Sequence, residues 1–394
     1  MTITGKRFFL ITIVCLLLTA VTLPAESVTD NEFGWSLDLP EGFKVDDHTD
    51  DGMSYLFSHD RMPVSLAVKL YEKGTYTSAD DALSGAVAKL PAGTCRKTQF
   101  IWRNTDCALG TFSMTLGQKE YAGWAEAVTL PEKQTQIVLL CYADTKIKKD
   151  CEQFIMSVLN SLTIDRGSIF EPGIIASYAF PPTEKQNVTL TINGHDIQTQ
   201  LDKDDIAAAE FVVNCEYAVL TLYADNAKWQ QAWQRYYRLI FRDSCGRLKK
   251  ASFDISNALS SDAKKLNPEN PDEGMAQLLL TWTQGFTYER EKDNADFTPL
   301  PAVLTGKGSD CDSRSLLACV LLENMGTKTA LFISREYSHA VFGADVASLS
   351  AAENARMTAG DTDFLLGETT AHVNMGLIAR DMQDTGKWIP VELP

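Results

Sequence analysis

Gly306-Lys307-Gly308-Ser309-Asp310-Cys311-Asp312-Ser313-Arg314-Ser315-Leu316-Leu317 is a Gly-rich turn that runs into an apolar-periodic segment, with one cysteine at the junction. Leu316, Leu317, Val320, Leu321 and Met325 recur at helical spacing, and Gly326 follows where a left-handed ending is tolerated. The spacing therefore predicts that Cys311 opens a helix. The unpaired N–H groups and the dipole of a helix start favour a thiolate there. Asp310 and Asp312 oppose that acidity, because neighbouring negative charge disfavours a thiolate, and a nearby imidazolium would offset them.

Downstream, residues 328–334, 339–346 and 364–370 read as strands, and Trp388-Ile389-Pro390-Val391-Glu392 closes the chain. Upstream, residues 272–284 read as a helix with Met275, Leu278, Leu279 and Trp282 inward and Pro271 at its start. The order Gly-Ser-Asp-Cys-Asp-Ser-Arg-Ser-Leu-Leu, then Met-Gly, then Ser-His-Ala-Val, then Glu-Thr-Thr resembles the transglutaminase-like family, a branch of the papain-like thiol enzymes. The resemblance covers roughly the last 120 residues, a common size for one catalytic core. It implies a helix bearing Cys311 packed on an antiparallel sheet. It also implies that Cys311 is the nucleophile, His339 the base and Glu368 the residue that orients His339.

The residues leave alternatives at two of these places. His339 and His372 are the histidines that follow His195, so His372 is the competing base. The family usually has Asp where this chain has Glu368, one methylene longer, and Glu392 and Asp363 are the competing carboxylates. The Cys311 backbone N–H is a natural oxyanion donor, and Gln284 is a candidate for a second. No EF-hand-like spacing, no CxxC pair and no phosphate loop occurs, so no metal or cofactor is expected.

The first residues carry a targeting pattern. Lys6-Arg7 precede an apolar run over residues 8–23, and Ala25 offers a small residue for cleavage. Residues 1–25 thus read as a signal peptide, and the mature protein as exported to the periplasm, the cell envelope or the medium. No stable membrane span is expected unless the signal stays uncleaved. Cys15 inside the run is a poor match to a lipid-attachment site. Lys and Arg total 36 against 52 Asp and Glu, a net charge of -16, which disfavours nucleic-acid binding and otherwise speaks to solubility. Export allows disulfides. The local pairings expected are Cys95–Cys107, Cys141–Cys151 and Cys215–Cys245. Cys319 reads as a buried small residue, and Cys311 as free, since eight helical residues separate the two by about 12 Å.

Residues 26–165 read as one α/β/α sandwich. Strands are expected over residues 33–40, 65–70, 98–102, 108–115, 121–128 and 135–142, with helices over 77–90 and 150–162. Ser78 or Asp80 can cap the first helix. The opening strand with Leu39-Pro40-Glu41-Gly42-Phe43 and the closing helix with Phe154, Val158 and Leu162 resemble the photosystem II oxygen-evolving P-type proteins, whose units more often bind or position than catalyse. Residues 166–182, with Gly167, Pro172, Gly173, Pro181 and Pro182, read as a linker. Residues 183–255 hold a hairpin through Asn193-Gly194 and a helix over 227–243 with Trp229, Trp233, Tyr236, Tyr237 and Ile240 on one face. That aromatic stripe reads first as core packing, and second as a cradle for a sugar or peptide. Residues 256–394 form the transglutaminase-like domain. The whole is an α+β chain.

Two functions of different class fit these readings. One is an exported thiol enzyme that attacks a peptide, protein or envelope-derived amide through a Cys thioester, with hydrolysis favoured over amine transfer. The other is a non-catalytic cell-envelope binding or scaffold protein that retains the fold.

Overall fold

The computed structural model describes residues 27–290, 295–306, 308–347 and 355–394. The expected signal peptide at 1–25, with Cys15, lies outside the described residues. So does Lys307. No helix among the described residues is long and apolar enough to cross a membrane.

The N-terminal part opens with a short hairpin, β1 (Val28–Asp30) and β2 (Trp35–Leu37). It continues through β3 (Phe43–His48), β4 (Ser54–His59), β5 (Val64–Tyr71), α1 (Ala79–Ala88), β6 (Thr94–Trp102), β7 (Thr105–Leu116), β8 (Lys119–Thr129), β9 (Gln136–Asp144) and α2 (Glu152–Asn160). The seven strands from β3 to β9 make one antiparallel sheet in the order β3-β4-β5-β9-β8-β7-β6. Residue alternation explains its two covered faces. Val138 and Leu140 of β9 face α1, while Ile137, Leu139 and Cys141 face α2. Ser78 caps α1 by accepting the Asp81 N–H at 3.0 Å. The strand β3 escapes a pattern reading because only Phe43 is buried and the rest of this edge strand is exposed.

The segment 166–182 is a packed joint instead of a linker. Residues Arg166–Phe170 form a 3-10 turn capped by Asp165, and α3 (Ile174–Ala179) buries Ile174, Ile175 and Ala176. Its Gly173 is demanded by a close approach, since a Cβ there would lie 2.2 Å from the Asn160 carbonyl oxygen at the end of α2. Gly173→Ala is therefore expected to cost about 1–3 kcal/mol, the usual range for forced overpacking, read as a lower thermal midpoint.

β10 (Lys185–Ile192) and β11 (His195–Asp202) pair through Asn193 and Gly194, both with positive φ, as a two-residue hairpin turn requires. Two helices follow, α4 (Asp205–Thr221), which the sequence reading missed, and α5 (Trp229–Leu266). The latter runs 38 residues, so the boundary between 183–255 and 256–394 falls inside one helix. Its buried face passes from Tyr236, Tyr237 and Ile240 to Leu248, Ala251, Ile255 and Leu259 without losing the helical period. Nothing in that pattern stops the helix at 243.

The C-terminal part adds α6 (Pro271–Gln284), α7 (Leu300–Leu304), α8 (Cys311–Asn324), β12 (Thr329–Ser334), β13 (His339–Ala344), β14 (Arg356–Ala359), β15 (Thr362–Gly367) and β16 (Ile389–Glu392). The strands form an antiparallel sheet in the order β14-β15-β13-β12-β16. One face carries Leu331, Ile333, Ala340 and Phe342 and belongs to the core that includes α8. The other carries Phe332, Val341, Phe364 and Trp388. The helix α8 is buried on all sides from Ser313 to Leu322, held between α5 and this sheet. Each of its fully buried leucines contributes about 1.5–3 kcal/mol.

All eight described cysteines are free thiols, which departs from the three expected disulfides. The hairpin register puts Cys95 opposite Phe112 and Cys107 opposite Phe100, so Cys95 and Cys107 do not face each other. Cys215 on α4 and Cys245 on α5 are both buried and unjoined, and Cys245 lies near Glu323 and Cys319 of α8. Cys141 and Cys151 do lie near each other, as thiols. Cys319 is fully buried, with its thiol directed at the Ala330 carbonyl at 3.5 Å.

Candidate active site

Cys311 is the first residue of α8 and is 8% exposed. Asp310 caps the helix by accepting the Ser313 N–H at 3.2 Å. The turn ahead of it is held open by pairing: Tyr288 bridges Ser309, and the Glu289 N–H donates to the Ser309 carbonyl at 3.1 Å. Gly306 takes a positive φ of 87°, which its lack of a Cβ permits.

His339 opens β13, where Ser334 of β12 pairs with it. Its Nε2 meets Glu368 Oε2 at 2.7 Å, and both side chains are largely buried. Glu368 follows the last residue of β15. Its other oxygen accepts the Thr370 N–H at 2.8 Å and the Thr370 hydroxyl at 2.7 Å. Burial raises the Glu368 carboxyl, but the His339 imidazole and Thr370 outweigh it and leave the group below its ordinary value. A depressed carboxylate stabilises above the unfolded value and loses that contribution only as pH falls through the lowered one. Glu368 is therefore ionised at neutral and mildly acid pH.

The competing groups lie elsewhere. Glu392 sits on β16 with its carboxylate against Gly360. Asp363 is exposed on β15 and faces Arg356 at 3.5 Å. His372 is exposed. Gln284 does not offer an oxyanion donor: its Nε2 donates to the Glu368 carbonyl at 2.9 Å and the Val373 carbonyl at 2.8 Å. It fixes the backbone that carries the carboxylate instead. Tyr288 lies near Cys311 but is half exposed. Burial and the neighbouring Cys311 push its phenol up to about 12, so it stays an O–H donor.

Cys311 and His339 line one cavity of about 340 Å³, together with Trp233, Tyr236, Tyr237 and Asp312. The nucleophile candidate and the base candidate thus share a wall, and the Ala340 N–H, next to His339, reaches the thiol. With Nε2 committed to Glu368, Nδ1 is the nitrogen left for the thiol. The thiol itself is not acidified at rest. Burial, then Asp312, then Asp310 push it up to about 12, against the smaller pull of the Ala340 and Cys311 N–H groups. A thiol in that state reacts by giving up its proton during attack, which suits a positioned base.

Three further residues hold this arrangement. Arg314 donates to Ser309 Oγ at 3.1 Å and the Phe286 carbonyl at 2.8 Å, reaches the Thr369 carbonyl at 3.4 Å and lies over the Tyr288 ring. Ser315 bonds the Ala340 carbonyl at 3.3 Å. The Tyr237 hydroxyl donates to Asp312 at 2.6 Å. A signal existed for the first two: polar residues standing at core positions of an otherwise apolar helix.

Glu368→Gln keeps the side-chain size but removes the charge that steadies a protonated His339. If the three residues act together, kcat is expected to fall about 100- to 10,000-fold with KM little changed. Steady-state kinetics on any amide the protein turns over checks this.

No family model matches the chain, and no curated protein matches it. Solved structures give weak likenesses. The solution structure of cyanobacterial PsbP from Synechocystis sp. PCC 6803 is 12% identical, covering 38% of this chain and 97% of that one at a TM-score of 0.30. The Ran-binding protein Mog1p of Saccharomyces cerevisiae is 12% identical, covering 37% and 98% at 0.28. A Bacteroides thetaiotaomicron structure covers 93% of this chain and 94% of its own length, at 8% identity and a TM-score of 0.25. At these TM-scores none of the likenesses carries an argument about activity.

Proposed function

We propose that the chain is an exported transglutaminase-like thiol enzyme with a papain-like core, acting on a peptide, protein or envelope-derived amide. The observation that carries this reading is the 2.7 Å contact of His339 with Glu368, on the wall of the cavity that Cys311 shares at the start of α8. In the first step the Cys311 sulfur adds to the carbonyl carbon while His339 Nδ1 takes the thiol proton. The carbonyl oxygen becomes an oxyanion that accepts from the Cys311 backbone N–H. Glu368 stabilises the imidazolium. Collapse of the adduct breaks the C–N bond, and the imidazolium gives its proton to the leaving amine. Water, activated by the neutral His339, then opens the thioester and releases the acid.

Hydrolysis is preferred to amine transfer because water is always present. The raised Cys311 thiol is the one observation that favours a non-catalytic envelope scaffold, since a buried neutral thiol is also what an inert cysteine looks like.

Incubation with a p-nitrophenyl ester, followed by mass spectrometry of the acid-quenched protein, separates the two. The enzyme reading expects an acyl adduct on Cys311 that disappears over time and never forms in His339→Ala. Adding an amine should leave the acid as the main product. A wild-type protein that acquires no adduct on Cys311, or acquires it equally without His339, would sink the proposal.

A further inference from the structure

The wall of the Cys311 cavity has a chemistry that the thioester mechanism does not use. Asp310 and Asp312 flank the nucleophile in the chain and both line the cavity. They also face each other, and burial together with the Asp310 charge and hydrogen bond keeps the Asp312 carboxyl well above its ordinary range. Asp312 therefore holds a proton more tightly than an ordinary carboxyl does. Beside them is Tyr236, 3% exposed, whose hydroxyl has no hydrogen-bond partner among the described residues. A buried unpaired hydroxyl costs free energy that a ligand can recover. Aromatic rings share the wall, with Tyr236 and Tyr237 ring centres 5.0 Å apart and Trp233 6.4 Å from Tyr237.

Two carboxyl groups, an unpaired hydroxyl acceptor and ring faces are together complementary to an ammonium group, which carries three N–H donors and a charge that aromatic faces attract. The cavity also holds two arginines, of which Arg290 lies near enough to Asp310 for their charges to attract, and each has a closer partner. Arg290 pairs with Asp296 through its Nε at 2.9 Å, and Arg335 lies over the Trp229 ring at 5.3 Å.

We propose that this wall binds a free ammonium group close to the scissile carbonyl, so that the substrate is an amide or peptide with an unblocked amino terminus. The closeness follows from the chain: the carboxyl groups belong to the residues on either side of Cys311, so a cation touching them while the carbonyl rests on the sulfur must sit near that carbonyl. An ammonium there favours the ionised form of Asp312, and a proton held by that carboxyl leaves to solvent. This inference rests on the thiol-enzyme reading for its catalytic meaning, but the binding itself can be measured without turnover.

The test is calorimetric titration of the Cys311→Ala protein with L-alaninamide and with propionamide, which has the same skeleton without the amine. Alaninamide is expected to bind at least about 30-fold more tightly, because propionamide leaves the buried polar groups unpaired. Tyr236→Phe and Asp312→Asn, each made in that background, should weaken alaninamide about tenfold. Tyr236→Phe removes one oxygen only, so it remains informative if Asp312→Asn does not fold. Equal affinity for the two amides, or binding of neither, overturns the proposal, as does full binding in folded Tyr236→Phe. The acyl-adduct experiment on wild-type protein reports on the thiol-enzyme reading separately. A Cys311 adduct without alaninamide binding defeats only the ammonium site, and alaninamide binding without an adduct defeats only the enzyme.

Discussion

Cys311→Ala is expected to abolish acyl-enzyme formation and to lower turnover by about 10⁴- to 10⁶-fold, with the fold unchanged. The side chain is buried at the edge of the core but small, it lines the cavity, and α8 is held by Leu316 to Leu322 behind it. Its removal should change the thermal midpoint by a degree or two at most, about 0.5 kcal/mol for so small a domain change. His339→Ala should lose nearly as much activity. The thiol is pushed up to about 12, so without a base almost no thiolate exists at neutral pH. The double variant should be no worse than either single one, because nucleophile and base act as a unit. Rates for the four proteins on one ester or amide substrate, with circular dichroism as the folding control, check the set. Full activity in Cys311→Ala would place the chemistry elsewhere.

Arg235→Met is expected to be the most damaging single change to stability, at about 3–5 kcal/mol. The Arg235 guanidinium is 2% exposed and its Nη1 donates to Glu216 Oε2 at 2.7 Å, where Glu216 is itself 1% exposed. It also donates to the Asp38 carbonyl at 2.8 Å, and Ser157 donates its hydroxyl to the same Glu216 oxygen at 2.9 Å. One side chain on α5 thus joins the loop after β2, the helix α2 and the helix α4. Methionine fills the volume but leaves the Glu216 carboxylate buried without its cation. Burial already raises that carboxyl, against the pull of Arg235 and Ser157. Without Arg235 it rises further and folds in its protonated form. A carboxyl that holds its proton more tightly folded than unfolded loses stability as pH rises past the unfolded value. The loss relative to wild type should therefore be larger at neutral pH than at about pH 4, near the ordinary carboxylate value. Urea unfolding at the two pH values measures both. A loss that does not depend on pH would mean that Glu216 is not the group left exposed to the cost.

Much of the candidate site was legible because its chemistry is local. A cysteine after a Gly-rich turn and ahead of an apolar period is placed at a helix start by backbone preferences alone, and α8 begins at Cys311. The Asn193-Gly194 turn is likewise a matter of two residues' φ. What misled was also local information used beyond its reach. Gly and Pro in 166–182 suggested slack chain, yet Gly173 is there because α2 comes too close for a side chain. Expected disulfides followed nearness in sequence, while the sheet register set Cys95 against Phe112. The helical acidity argument for Cys311 counted the dipole and missed burial, which outweighs it. The aromatic stripe on α5 proved to be divided, with Tyr236 and Tyr237 serving core and cavity at once.

The sequence by itself determined where helices and turns begin, and that a thiol stands at one of those beginnings, because hydrogen bonding and steric preference act over a few residues. Tertiary structure alone decided which of three carboxylates meets His339, which polar groups brace α8, and which buried oxygens lack a partner among the described residues. His339 and Glu368 are 29 residues apart, and Arg235 and Asp38 are 197 apart. Contacts at such separations are fixed by how whole elements cross and by the loss of water between them, and no local preference of either residue encodes that.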